Sequence, residues 1–162
     1  MAAIGEILGQ TKPLDTVNRI VEQGKRGQAI LLSGPAGIGK LALGLWTSLR
    51  FLCQQNSTGC GQCLSCRSVK GFKHPDFLLA YPFPNLASES RKNTVFHFCD
   101  PVNSDARYSD ESLEEVNRFL NEKTEDTYRI VSFEKKQNIP VDVIRDLIRS
   151  VGKRPMLSSK RA

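Results

Sequence analysis

Residues 31–43 read LLSGPAGIGKLAL: an apolar run, a glycine-rich turn, one lysine and a second apolar run. The stretch approaches the phosphate-loop pattern of a strand, G-x-x-x-x-G-K-[ST] and a helix. Gly34, Pro35, Ala36, Gly37, Ile38, Gly39 and Lys40 supply all of that pattern except the final hydroxyl, because the next residue is Leu41. Glycines at these positions allow positive φ and a close backbone approach, so successive N–H groups face one concavity at a helix N-terminus, where an anion fits. Lys40 adds a point charge for the outer phosphates. With Leu41 in place of Ser or Thr, the loop has no hydroxyl to offer Mg²⁺. Phosphate binding is compatible with these residues, whereas metal-assisted hydrolysis is not. The competing reading is a glycine-rich turn between strand and helix that holds no nucleotide.

On either side of the loop the expected elements follow from periodicity. Ala29 to Ser33 reads as a buried strand entering the loop. Leu41, Leu45, Leu49 and Leu52 then share one side of a helix, with Trp46 beside them. Upstream, Pro13 opens a helical pattern with Leu14, Val17 and Val21 on one face and Gly24 as its C-cap, and Lys25 to Gln28 form a short basic turn.

The helix runs directly into Cys53, Cys60, Cys63 and Cys66, spaced C-x₆-C-x₂-C-x₂-C. Two overlapping C-x₂-C steps bring three sulfurs within reach of one ion, and the polar excursion Gln54 to Gly59 can return the first. Four thiolates suit tetrahedral Zn²⁺, and a site with four protein ligands is closed and structural. Reduced buried thiols and redox chemistry are the alternatives. The fifth cysteine, Cys99, is expected to be a small core or surface residue. His74, in His74-Pro75-Asp76, lies near the quartet, but a full sulfur shell makes it a hydrogen-bonded structural histidine.

Further on, Phe77 to Tyr81 reads as a second central strand ended by Pro82 and Pro84, and Asn85 to Thr94 is polar. Val95 to Phe98 is a short strand or a packed loop. Ser109-Asp110-Glu111 opens a helix with Leu113, Val116 and Leu120 on its apolar face. Tyr128 to Phe133 reads as another strand, and Pro140 stands at the start of a helix with Val141, Ile144, Ile148 and Val151. A hydrolysing phosphate-loop fold needs a later strand ending in Asp, and Ile130 to Glu134 offers only a single Glu.

The totals set the class. At 162 residues, 40% hydrophobic and 25% charged, the chain suits one ordinary soluble domain. No apolar run approaches the roughly 18–20 residues of a membrane span, and the N-terminus lacks a signal-peptide pattern, so a cytoplasmic location without membrane contact is expected. The net charge of +6 is uneven: residues 1–134 hold 15 basic and 15 acidic side chains, and residues 135–162 hold 8 and 2. That basic end suits a phosphate backbone or an acidic partner, or is simply solvated. Residues 100–126, with nine acids and three bases, make a poor DNA surface.

Assembled in order, Leu8-Gly9-Gln10, the loop GPAGIGK, the cysteine quartet behind its helix, His74-Pro75-Asp76, and Ile144-Arg145-Asp146-Leu147-Ile148 before a basic turn with proline resemble a known family. The chain is similar to the N-terminal part of the delta-prime subunits of bacterial DNA polymerase III, in the clamp-loader branch of the AAA+ proteins. The resemblance implies an α/β fold, a three-layer P-loop parallel sheet, here incomplete, with an inserted Cys₄ zinc module at residues 53–73. Residues 1–162 would form the N-terminal part of an ATPase-like domain, and residues 85–134 an acidic family-specific insertion.

The resemblance also implies a role in DNA replication: a stator-type subunit that helps load the sliding clamp onto primed DNA without hydrolysing ATP. Its partners would be the motor (gamma/tau) and delta-type subunits, with the clamp and DNA reached through the assembly. Structural Zn²⁺ is the implied cofactor. ATP binding would be weak and Mg²⁺ is not expected. Three other readings compete: an ATP-hydrolysing motor subunit of the same machine, a zinc-ribbon nucleic-acid module, and a small phosphotransferase. Leu41 disfavours the first. The second lacks aromatic stacking residues around the cysteines beyond Phe72, and the third lacks an acidic metal ligand.

Overall fold

The structure, a computed structural model, describes residues 7, 9–23, 29–56, 58–82, 110–131, 138, 139 and 141–157. Gly24, the Lys25–Gln28 turn, Asn85 to Thr94, Val95 to Phe98, Cys99 and Pro140 lie outside the described residues, as does the side chain of Leu113.

Among the described residues five helices are formed: α1 Thr11–Glu22, α2 Lys40–Leu52, α3 Leu64–Lys70, α4 Asp110–Glu125 and α5 Val141–Val151. Four of them match the periodicity. α1 starts two residues before Pro13 and buries Val17 and Val21. α2 buries Ala42, Leu43, Leu45, Ser48, Leu49 and Leu52, a broader face than the leucine spacing alone implies. The Arg50 guanidinium lies over the Trp46 ring, 4.9 Å from its centroid, so the partly buried indole is covered by a cation. α3 has no periodicity signal. It is nucleated by Cys63, whose Sγ accepts the Cys66 N–H at the N-cap.

The expected parallel sheet is not formed among the described residues, where a single bridge residue, Asn138, is the nearest thing to a strand. Ala29 to Ser33, Phe77 to Tyr81 and Tyr128 to Val131 all run without regular structure. A strand exists only through ladder hydrogen bonds to a neighbour. Ile30 and Leu31 are instead 40% and 91% exposed, and the apolar run before the glycine loop pairs with no strand among the described residues. Phe77 and Tyr81 are buried, but against helices.

α2 packs on α1 and α3. Leu45, Leu49 and Leu52 of α2 join Cys66, Val69, Phe72 and Phe77 in the first core cluster. Tyr81, Val116 and Phe119 form a second cluster, in which the Tyr81 and Phe119 rings stack at 5.0 Å and 25°. Leu79 and Leu120 touch both clusters, and Leu147 joins α5 to the second.

The end of α3 carries backbone strain. Lys73 N–H donates to Ser68 O at 2.8 Å and Phe72 N–H to Val69 O at 3.0 Å, a Schellman ending whose left-handed residue is Phe72, at φ +55°. Glycine is the usual occupant. Phe72 stays there because its ring is 5% exposed and lies 6.3 Å from that of Phe77.

Just beyond, the His74-Pro75-Asp76 turn is a hydrogen-bonding hub. Ser65 Oγ donates to Leu52 O at 2.6 Å, so the 2.8 Å contact with His74 Nε2 has the imidazole as donor. His74 Nδ1 accepts the Asp76 N–H at 3.0 Å. Both ring nitrogens are satisfied in the neutral form. The Asp76 carboxylate reaches across the chain: Oδ1 accepts Met156 N–H at 2.7 Å and Oδ2 accepts Leu157 N–H at 2.9 Å. His74 and Asp76 are fully buried.

Two outcomes follow. Phe72→Gly relieves about 1 kcal/mol of left-handed strain but removes a buried ring, so urea denaturation should show a net loss of about 2–4 kcal/mol. His74 has its pKa pushed down by burial, with Asp76 opposing. The unfolded chain therefore binds a proton near pH ~6.5 that the folded chain refuses; this contribution to stability is complete above that pH and is lost as the pH falls toward the lowered folded value. The fall in urea midpoint from about pH 7.5 to about pH 5.5 should be smaller in His74→Gln than in the unchanged protein.

Candidate metal centre and glycine loop

The four cysteines converge from two helix ends and the loop between them. Cys53 stands immediately after α2, Cys63 is the N-cap of α3, and Cys66 lies in the first turn of α3. Cys60 is delivered by Gly59, whose φ of +74° lets the loop return against α2. A Cβ there would lie 3.2 Å from Leu49 Cβ. Asn56 braces the excursion, its Oδ1 accepting Thr58 N–H at 3.1 Å and Thr58 Oγ1–H at 2.8 Å.

All four sulfurs lie within 4.8 Å of one another. Cys53 Sγ is 3.6 Å from Cys60 Sγ, and Cys60 Sγ is 4.0 Å from Cys66 Sγ. A tetrahedron of sulfurs around an ion at ~2.3 Å has edges of about 3.8 Å, so the spacing is already that of a ligand shell. Three sulfurs also accept backbone N–H groups at 3.4 Å: Cys53 from Cys60, Cys60 from Cys63, and Cys63 from Cys66. At Cys53 and Cys63 such bonds favour thiolate over thiol.

The titration behaviour follows from this. At Cys53 burial opposes ionisation, but the backbone groups of Cys60, Asn56 and Gln55 outweigh it and bring the thiol down to about 6. Cys63 is lowered in the same way, with Cys66 and Gln54 overcoming burial. Cys66 moves the other way: burial pushes it well up, and the adjacent Cys63 and Cys53 sulfurs add to the rise. Four crowded sulfurs cannot all carry charge unaided, and a divalent cation at their centre removes the conflict. The quartet can hold a metal ion. His74 is not part of it, since both its ring nitrogens are committed elsewhere.

The glycine loop keeps the expected curvature. Gly37 has φ +79°, and Gly39, at φ +90°, is the N-cap of α2. Lys40 Nζ folds back to donate to Gly34 O at 2.8 Å and Pro35 O at 2.6 Å, so the lysine ties the loop to itself. Gln10 Nε2 donates to Ile38 O, which links the Gly9-Gln10 pair to the loop. Leu41 is half-buried and packs on the first core cluster, so the position that would supply a metal-binding hydroxyl is committed to packing.

Residues that the sequence did not flag meet the loop. Lys123, Thr127, Tyr128, Arg129, Ile130 and Val131 form the far wall of an open cleft of about 230 Å³ whose near wall runs from Ala36 to Leu41. Tyr128 sits so closely on Gly39 that a Cβ there would fall 2.6 Å from its ring. Lys123 Nζ donates to Thr127 O and Arg129 O and holds this wall together. Its pKa is lowered by burial, against the pull of Asp126 and Glu122. The pattern at Tyr128 to Phe133 suggests a strand and not a site wall, because that role arises from a contact between segments far apart in the chain.

A family model described as DNA polymerase III, delta subunit, matches residues 9–95, just over half of the chain. The matched span contains the glycine loop, the cysteine quartet and His74-Pro75-Asp76. Over 60 residues the chain is 38% identical to the DNA polymerase III subunit delta' of Pseudomonas aeruginosa, a match that covers 36% of this chain and 18% of the relative. No solved structure matches it. The chain is delta-prime-like and belongs to the DNA polymerase III delta-subunit family, whose model spans both candidate sites.

Proposed function

We propose that this chain serves a bacterial clamp loader as a delta-prime-type stator: a subunit of AAA+ ancestry that braces its neighbours and hydrolyses no ATP. The family match and the similarity to a subunit delta' support the replication role. The observation that carries the non-catalytic reading is the state of the glycine loop. Leu41 gives its side chain to the core, and Lys40 directs two of its three N–H donors to Gly34 O and Pro35 O. A loop without a hydroxyl for Mg²⁺ cannot assemble the metal–phosphate arrangement that phosphoryl transfer requires. Any nucleotide contact through Gly34 to Leu41 is then weak and independent of metal.

In this reading Cys53, Cys60, Cys63 and Cys66 hold one structural Zn²⁺, favoured by four sulfur donors at tetrahedral spacing. The ion cross-links the end of α2 to the start of α3 and leaves no open position for chemistry. The motor and delta-type subunits are the proposed direct partners, the sliding clamp and primed DNA are reached through the assembly, and the cytoplasm is the proposed location. None of the described helices is long and apolar enough to cross a membrane.

Isothermal titration of the chain with ATP, with and without Mg²⁺, should give weak or no binding and no dependence on the metal. ATP turnover by the purified chain that is abolished in Lys40→Ala would overturn the stator reading and restore the motor alternative. Metal analysis should find one zinc per chain. Cys63→Ser should release it and lower the melting temperature sharply, because Cys63 also caps α3 and packs on the first core cluster.

A further inference from the structure

We propose that metal occupancy at the cysteine quartet controls the position of α5, through a hydrogen-bonded relay that ends on the Asp76 carboxylate. The inference rests on the reading that the quartet holds a metal. It goes beyond that reading by giving the ion a distant structural consequence.

The relay starts inside the ligand set. Ser65 lies between Cys63 and Cys66 in the chain, and its hydroxyl bonds both Leu52 O, one residue before Cys53, and His74 Nε2. His74 Nδ1 receives the Asp76 N–H, and Asp76 in turn receives the N–H groups of Met156 and Leu157. Ser65, His74 and Asp76 are each at most 3% exposed, so water does not substitute for these partners. The path joins the metal ligands to residues 80 and 81 positions away from Asp76, just beyond the end of α5.

Two features make the relay sensitive at both ends. α3 has seven residues, too short to persist alone, and two of the four ligands stand at its N-terminus. Loss of the ion therefore frees the element that carries Ser65. At the far end, Leu147 of α5 packs on the second cluster, while the Val141, Ile148 and Val151 side chains are each at least 60% exposed. The two charge-assisted bonds to Asp76 hold the turn that follows α5 at Met156 and Leu157. Metal loss thus reaches α5 by withdrawing Ser65 from His74 and letting the turn that aims Asp76 relax.

Hydrogen–deuterium exchange on the full chain tests this. Chelation of the metal should speed exchange at Met156 and Leu157 about tenfold or more, together with α3. Asp76→Asn, which turns one acceptor into a donor facing an N–H, should speed the same two amides in the metal-loaded protein while zinc stays at one per chain and α3 stays protected. Chelation should then add nothing further at these two positions. Should the chelated chain unfold as a whole, Ser65→Ala decides the matter, since it keeps all four ligands: faster exchange at Met156 and Leu157 with zinc retained supports the relay, and unchanged exchange overturns it. Exchange that rises in α3 on chelation but not at Met156 and Leu157 also overturns it, with the zinc reading intact. A chain that takes up no zinc at all, by metal analysis, defeats both.

Discussion

The sulfur cluster and the hydrophobic core of this molecule are one construction. Cys66 is fully buried in the same cluster as Leu45, Leu49, Leu52 and Val69, and the other three sulfurs pack against that cluster from its edge. α3 exists because Cys63 caps it, and α2 ends where Cys53 turns the chain toward Cys60. The packing of α2 on α3 therefore depends on sulfurs held about a tetrahedral edge apart, an arrangement that crowds anionic groups unless a cation lies among them. An ion bound there would tie the end of α2 to the start of α3.

The glycine loop shows the opposite balance. Its backbone keeps left-handed glycines and a helix start, so its outline is that of an anion cradle. The side chains around it have other tasks. Leu41 belongs to the core, Tyr128 lies on Gly39, and Lys123 ties down the wall that Tyr128 belongs to. The loop therefore keeps its backbone curvature while the Leu41 side chain, at the position of the usual hydroxyl, is used for packing.

Much of this was legible in the sequence, and the parts that were not share a cause. α1, α2, α4 and α5 follow from apolar periodicity, and the quartet follows from its spacing, because both signals are local. Placing His74 outside the metal shell was likewise possible from counting ligands. The strands expected at Ala29 to Ser33, Phe77 to Tyr81 and Tyr128 to Phe133 failed where they are described, since an apolar run shows burial potential but not whether a ladder partner exists. α3 was missed because a sulfur cap rather than periodicity starts it. Ser65, Asp76 and Tyr128 were invisible as site residues for a similar reason: each acts through a contact with a distant segment, such as Asp76 with Met156.

The self-satisfied lysine of the loop has a thermodynamic corollary. In most phosphate-binding proteins the cradle is completed by its ligand, so fold stability rises with ligand concentration by mass action. Here the Lys40 ammonium already meets two carbonyls of its own turn. An anion entering such a loop would first have to draw Lys40 away from Gly34 O and Pro35 O, so part of its binding energy would go into that exchange and less would appear as added fold stability.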